Sequence, residues 1–151
     1  MPTADELVQK ALEQEGDEYG FGHEVDLSDP NPDMFDCSEL PEWLCAQLRV
    51  KPIFPDGTIW QIRHCRNHGT LISVEEAIGT RGALLYLFRN RFGEMVNPFK
   101  GERPAMAHVA ISLGDNRTIE ARGRKYGVGI FSAFHRGWTH AAKVPGLEYE
   151  E

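Results

Sequence analysis

The chain has 151 residues, with 16 Lys and Arg against 23 Asp and Glu, a net charge of −7 and a pI near 5.4. That acidic balance excludes a dedicated nucleic-acid binder, which needs a basic footprint to meet phosphate. Hydrophobic residues make up 41%, enough for the core of one domain spanning 1–151, yet no apolar run is long enough to insert in a bilayer.

The predicted elements begin with a helix over 3–14, where Leu7, Val8, Ala11 and Leu12 recur at helical spacing and Gly16 follows as a stop. This polar, acidic start lacks the basic and apolar regions of a secretory signal, so no Sec-type export is expected. Residues 16–36 are rich in Gly, Asp, Pro and Asn and read as loop. A second helix is predicted over 38–48, with Leu40, Trp43, Leu44 and Leu48 on one face and Pro41 in the first turn. A third spans 58–68, with Ile59, Trp60, Ile62 and Cys65 on its buried side. Ser73 and Glu76 match a capping box that opens a short helix ending near Gly79.

The pattern then changes. Residues 83–88, 109–113, 118–122, 129–131 and 141–144 read as short strands, with a long loop over 89–107. Helices first and strands second predict an α+β domain, with N-terminal helices packed on an antiparallel sheet of about five strands.

Three cysteines, an odd number, argue against a disulfide scaffold. Cys45 and Cys65 fall inside helices and read as core thiols. Cys37 differs, because Phe35-Asp36-Cys37-Ser38 places it where a polar loop meets an amphipathic helix. Unpaired N–H groups at a helix start stabilise a thiolate, so its pKa is expected to fall and Cys37 becomes a candidate nucleophile. The alternative is an inert, tolerated cysteine.

A nucleophilic thiol needs an imidazole, and the imidazole needs a third group to orient it. His108 opens the strand His108-Val109-Ala110-Ile111-Ser112-Leu113, whose odd residues form the apolar face. A three-residue turn at Gly114-Asp115-Asn116 sets Leu113 opposite Arg117, Ala110 opposite Glu120 and His108 opposite Arg122. Glu120 then lies diagonal to His108 on the same face, able to accept its N–H. The alternative is a surface ion pair of Glu120 with Arg117 or Arg122. His64 and His68 lie one helical turn apart, but no second ligand pair stands out, so neither a metal nor another cofactor is expected.

Taken in order, these motifs resemble the NlpC/P60 family of papain-like cell-wall cysteine peptidases. Phe35-Asp36-Cys37-Ser38 resembles the family's Asp-Cys-Ser motif, and the strand from His108 to Gly114 its His-Val-Gly-Ile-Tyr-Leu-Gly strand. Thr118-Ile119-Glu120-Ala121 falls where the family carries its third polar residue. Tyr19-Gly20-Phe21-Gly22 resembles its Tyr-x-Trp-Gly segment, and Arg81-Gly82-Ala83-Leu84-Leu85 sits where Pro-Gly-Asp-Leu is usual. The likeness covers about residues 16–145. Glu39 departs from the Gly that usually follows Asp-Cys-Ser, and the loop from Tyr19 to Cys37 is longer than usual.

The resemblance implies a peptidoglycan hydrolase with Cys37, His108 and Glu120 as catalytic residues. It implies an oxyanion site from the Cys37 backbone N–H and the Tyr19 hydroxyl, though Tyr19 also reads as a packing aromatic. Asp36 and Ser38 would bind the stem peptide. Arg122, with Arg124 and Lys125, would attract its carboxylates, or else form a solvated basic loop. The implied partner is peptidoglycan, cut beside D-glutamyl and diaminopimelate residues. Residues 68–77 and 136–140 resemble the N-terminal peptidase module of actinobacterial, mycobacterial-type phage endolysins. That implies a role in host lysis, made in the host cytoplasm and released by a holin, alone or fused to other lysin domains. An N-acetylmuramoyl-L-alanine amidase, a tail-associated module and an inactive wall-binding module are the alternatives.

Overall fold

A computed structural model describes residues 1–150. Thr3 opens the first helix, α1 (Ala4–Leu12): its hydroxyl accepts the Glu6 N–H at 3.1 Å, and the Glu6 carboxylate accepts the Thr3 N–H at 3.0 Å. Leu7, Val8 and Ala11 are buried, as the helical spacing predicts.

Residues 16–36 are mostly loop, but with one feature the sequence hid. β1 (Glu18–Tyr19) pairs in parallel with β2 (Met34–Phe35), setting Tyr19 beside Phe35. Two-residue strands have no periodicity to read. Three helices follow: α2 (Glu39–Gln47), α3 (Thr58–Asn67) and, after β3 (Leu71–Ile72), α4 (Val74–Ile78). The Ser73 hydroxyl caps α4 by accepting the Glu76 N–H at 3.0 Å. On α3 the buried residues are Gln61, Ile62 and Cys65. Trp60 is 63% exposed, with the Arg63 guanidinium stacked 5.4 Å from its ring, so the expectation that it is buried was wrong. Gln61 takes the place the sequence reading gave to an apolar residue.

The remaining strands are β4 (Leu84–Arg89), β5 (Met106–Ser112), β6 (Arg117–Ala121), β7 (Val128–Ser132) and β8 (His140–Ala142). They join β3 in a six-stranded antiparallel sheet of order β3-β8-β4-β5-β6-β7. The α+β expectation holds, with β3 added at the edge. The β5–β6 hairpin has the predicted register, pairing Ile111 with Ile119 and Ser112 with Thr118.

Helices α1–α3 cover one face of this sheet. There Leu7, Leu40, Trp43, Leu44, Ile62, Tyr86, Phe88, Val109 and Ile111 form the main core. Burying a side chain of this size stabilises the fold by about 1.5–3 kcal/mol. The opposite face holds a smaller cluster of Ala77, Ala83, Leu85, Ala133 and Ala141, with Trp138 packed against it. Small residues there bring the segment between β7 and β8 close to the sheet.

Candidate active site

The start of α2 is set by a reciprocal pair of hydrogen bonds. Asp36 Oδ1 accepts the Glu39 N–H, and Glu39 Oε1 accepts the Asp36 N–H, both at 2.9 Å. This reciprocal pair has the form of a capping box, and it holds Cys37 and Ser38 in the turn that leads into α2. Glu39 is 3% exposed. Its carboxylate also meets His23 Nδ1 at 3.2 Å and the Val25 N–H. The residue that departs from the family motif thus ties the long loop to the cysteine junction. Gln61 supports the same junction from behind, donating to the Ser38 and Pro55 carbonyls at 3.0 Å each and accepting from Tyr86 Oη at 2.9 Å.

Cys37 is part-buried against the main core, and its sulfur reaches the backbone of Val109, the residue after His108. Burial, reinforced by the Asp36 charge, pushes its thiol up to about 12 despite hydrogen bonds from the Val109, Ser38 and Cys37 backbone. The expected fall in pKa is therefore reversed: desolvation outweighs the N–H groups of the helix start. The resting thiol carries its proton at neutral pH and needs a base to become a nucleophile.

The β1–β2 pair brings Tyr19 to this junction across the long loop. Burial first, then the nearby Cys37, Asp36 and Glu39, push its hydroxyl up to about 12. A phenol held neutral in this way is a hydrogen-bond donor.

On β5 and β6, His108 Nε2 and Glu120 Oε1 are 2.9 Å apart. Glu120 is 1% exposed. Burial alone would raise its pKa, but hydrogen bonds from His108, Arg136 and Thr118 outweigh it and hold the carboxyl at about 2. An ionised carboxylate can only accept, so Nε2 donates and the neutral imidazole keeps its lone pair on Nδ1. Among the described residues, no hydrogen bond links the His108 ring to the Cys37 thiol.

The alternative partners for Glu120 are engaged elsewhere. Arg117 pairs with Asp115 at 2.6 Å, and Arg122 stacks over Tyr126 and Phe131 at 5.1 and 4.7 Å. The cation on Glu120 is Arg136, which sequence reasoning missed as a site residue. It lies in the irregular segment after β7, where no periodicity marks a partner. Trp138, two residues on, lies nearly parallel to the His108 ring, with centroids 6.0 Å apart and planes inclined by 17°.

Asp36 and Ser38 are engaged with one another, Ser38 Oγ donating to Asp36 Oδ1 at 3.3 Å. A pocket of about 380 Å³ opens beside them, lined by Gly22, His23, Glu24, Val25, Leu27, Asp36, Glu39, Glu42 and Asp56. It is strongly acidic: burial and the neighbouring Asp56, Glu39 and Asp36 raise Glu42 to about 7. Arg124 and Lys125 are exposed in the turn between β6 and β7. Cys45 and Cys65 are buried with their pKa values raised by desolvation, as core thiols should be. The His64 and His68 rings lie 4.4 Å apart, but no group of three candidate metal ligands occurs among the described residues.

The arrangement supplies a thiol, an imidazole oriented by a buried carboxylate, and a neutral phenol near the thiol. No protein-family model and no curated protein matches the sequence. Solved structures do match. The NlpC/p60 domain of the peptidoglycan hydrolase SagA is similar at a TM-score of 0.65 and 25% identity, over 94% of this chain and 99% of that one. NlpC2 from Trichomonas vaginalis gives 0.67 at 19% identity, over 98% of this chain and 47% of that one, so the chain spans about half of that protein. The peptidoglycan hydrolase RipB from Mycobacterium tuberculosis gives 0.64 at 24% identity, over 97% of this chain and 65% of that one. The chain therefore has the NlpC/P60 fold, with helices packed on one face of an antiparallel sheet and Cys37 in the turn that leads into α2.

Proposed function

We propose that this chain is a peptidoglycan hydrolase that cuts stem peptides with Cys37 as nucleophile. The observation that carries the reading is the His108–Glu120 pair on β5 and β6, next to the strand residue whose backbone meets the Cys37 sulfur. The likeness in fold to peptidoglycan hydrolases supports it.

In the first step His108 Nδ1 takes the Cys37 proton as Sγ attacks the substrate carbonyl, because the resting thiol is protonated. The oxyanion meets the Cys37 N–H and the Tyr19 hydroxyl. Collapse breaks the C–N bond, and the imidazolium returns its proton to the leaving amine. Water, deprotonated by His108, then hydrolyses the thioester and restores the thiol. Glu120 holds the ring tautomer throughout. The acidic pocket beside Asp36 and Ser38 suits a cationic amine of a diamino-acid stem, and Arg122, Arg124 and Lys125 suit its carboxylates. The bond we infer is D-glutamyl–diaminopimelate, and the setting a phage lysis module that reaches the wall through a holin.

Purified chain, beside Cys37→Ala, is incubated with diaminopimelate-type peptidoglycan and the soluble fragments are weighed by mass spectrometry. Fragments ending at the D-glutamyl–diaminopimelate bond, absent with the variant, are expected. Release of whole stems from muramic acid would instead assign an amidase. Retention on the wall with no release would assign a binding module.

A further inference from the structure

The segment between β7 and β8 is tied down at three points. The Trp138 indole N–H donates to the Ala133 carbonyl at 2.9 Å, closing the segment on itself. Arg89, at the end of β4, donates from Nε and Nη2 to the Gly137 carbonyl at 3.2 and 2.9 Å. Between them Arg136 reaches Glu120 with both terminal nitrogens, Nη1 to Oε2 at 3.1 Å and Nη2 to Oε1. Its side chain is only 12% exposed, and its guanidinium lies 4.8 Å from the Trp138 ring centre. Two bonds from a planar fork fix the plane of a carboxylate, which one bond does not.

Glu120 Oε1 is also the atom that meets His108. A group that sets the carboxylate plane therefore sets the direction of the His108 N–H, and hence where Nδ1 points. Its charge acts as well. A bare carboxylate beside an imidazole strengthens proton binding, and a cation on that carboxylate weakens it.

We propose that Arg136 is a positioning residue of the thiol–imidazole site, fixing Glu120 for His108 and lowering the affinity of the His108–Glu120 pair for a proton. The proposal rests on the hydrolase reading for its catalytic consequence but not for its geometry. The groups that act on Glu120 are His108, Arg136 and Thr118, while Arg122, just past β6, stacks on Tyr126 and Phe131, and Cys37, Asp36 and Tyr19 cluster at the α2 junction. Among the described residues, only Arg136 bonds to Glu120 with a full charge of opposite sign that does not titrate near neutrality.

The test titrates the His108 ring by NMR in the Cys37→Ala chain, with Arg136 intact, Arg136→Gln and Arg136→Lys. Removing the positive charge should raise the His108 midpoint by about one pH unit, while Lys, which keeps the charge, should leave it near the parent value. In the active chain, Arg136→Gln should move the acid limb of kcat/KM upward by the same amount. Arg136→Lys should keep the limb in place and lower kcat about tenfold through loss of the two-point fork. Thermal unfolding of each variant checks that it folds. If Gln fails to fold, full turnover by Arg136→Lys overturns the positioning role. An unchanged His108 midpoint in a folded Arg136→Gln overturns the electrostatic one. A wild-type chain that releases no wall fragment overturns the hydrolase reading, and the ring titration still decides for or against Arg136.

Discussion

Gln61 shows how much of the site rests on one residue remote from the chemistry. It is fully buried on α3 and joins Ser38, Pro55 and Tyr86 through its single amide. Gln61→Leu keeps the approximate volume but removes the acceptor of the buried Tyr86 hydroxyl and a donor to both the Ser38 and Pro55 carbonyls. The expected loss is about 2–4 kcal/mol, read as a lower urea midpoint with an unchanged slope. Because Ser38 follows Cys37, wall-fragment release should fall further than the unfolded fraction explains. A sequence reading that sorts helix positions by hydropathy assigns an apolar residue to this place and sends Gln61 to solvent. Glu39 shows the reverse case. Asp36 and Glu39 have the spacing of a capping box, as legible as that of Ser73 and Glu76, yet the family motif drew attention to the missing glycine instead. Glu39→Ala removes acceptors for the Asp36 and Val25 N–H groups and for His23. The predicted outcome is a loss of about 2–3 kcal/mol, measured by thermal unfolding, with faster proteolysis in residues 20–35.

At the scale of elements, the β5–β6 hairpin was legible because one turn and one alternation determine it. The Gly114-Asp115-Asn116 turn sets the register, and a two-residue period sets the face, so the His108–Glu120 contact follows from local rules. Arg136 did not follow from such rules. It reaches Glu120 from an irregular segment whose course depends on small residues beneath it, and tertiary packing of that kind leaves no local pattern. The pairing of β1 with β2 was hidden for the same reason. The hairpin's dependence on its turn can be tested at Gly114, which has φ +84, and where an added Cβ would lie 2.8 Å from the Arg81 backbone nitrogen. Gly114→Ala meets both an unfavourable dihedral and a backbone contact that cannot move cheaply. A loss of about 2 kcal/mol in denaturant unfolding is expected, together with reduced fragment release as Glu120 loses its register with His108. Unchanged stability and turnover would show that the turn does not hold the pair.

Across the whole molecule, buried ionisable groups pull stability in opposite directions at the two ends of the pH scale. Glu120 is held at about 2, below its ordinary 4.5, so its contribution is present above about 4.5 and drains away as pH falls towards 2. The thiols act at the other end. Burial raises Cys37 and Cys65 from 9.0 to about 12, and Cys45 higher still. Their protonated forms belong to the fold, so their contribution is complete below pH 9 and is lost as pH rises beyond it, while the unfolded chain ionises freely. Glu42 moves the same way at lower pH: raised to about 7, it weakens the fold as pH climbs from 4.5 to 7. Glu42→Gln should therefore stabilise the chain at pH 8 by a few tenths of a kcal/mol to about 1, since solvent still screens a part-buried group. It should have no such effect at pH 4. Urea midpoints measured between pH 3 and 11 should trace a plateau with an acid edge and an alkaline edge. Cys65→Ala lowers the plateau by opening a cavity, but it should also make the fall above pH 9 shallower, because one fewer thiol ionises on unfolding. An alkaline edge of undiminished slope in that variant would mean that Cys65 ionises as readily in the fold as outside it, contradicting its burial in the main core.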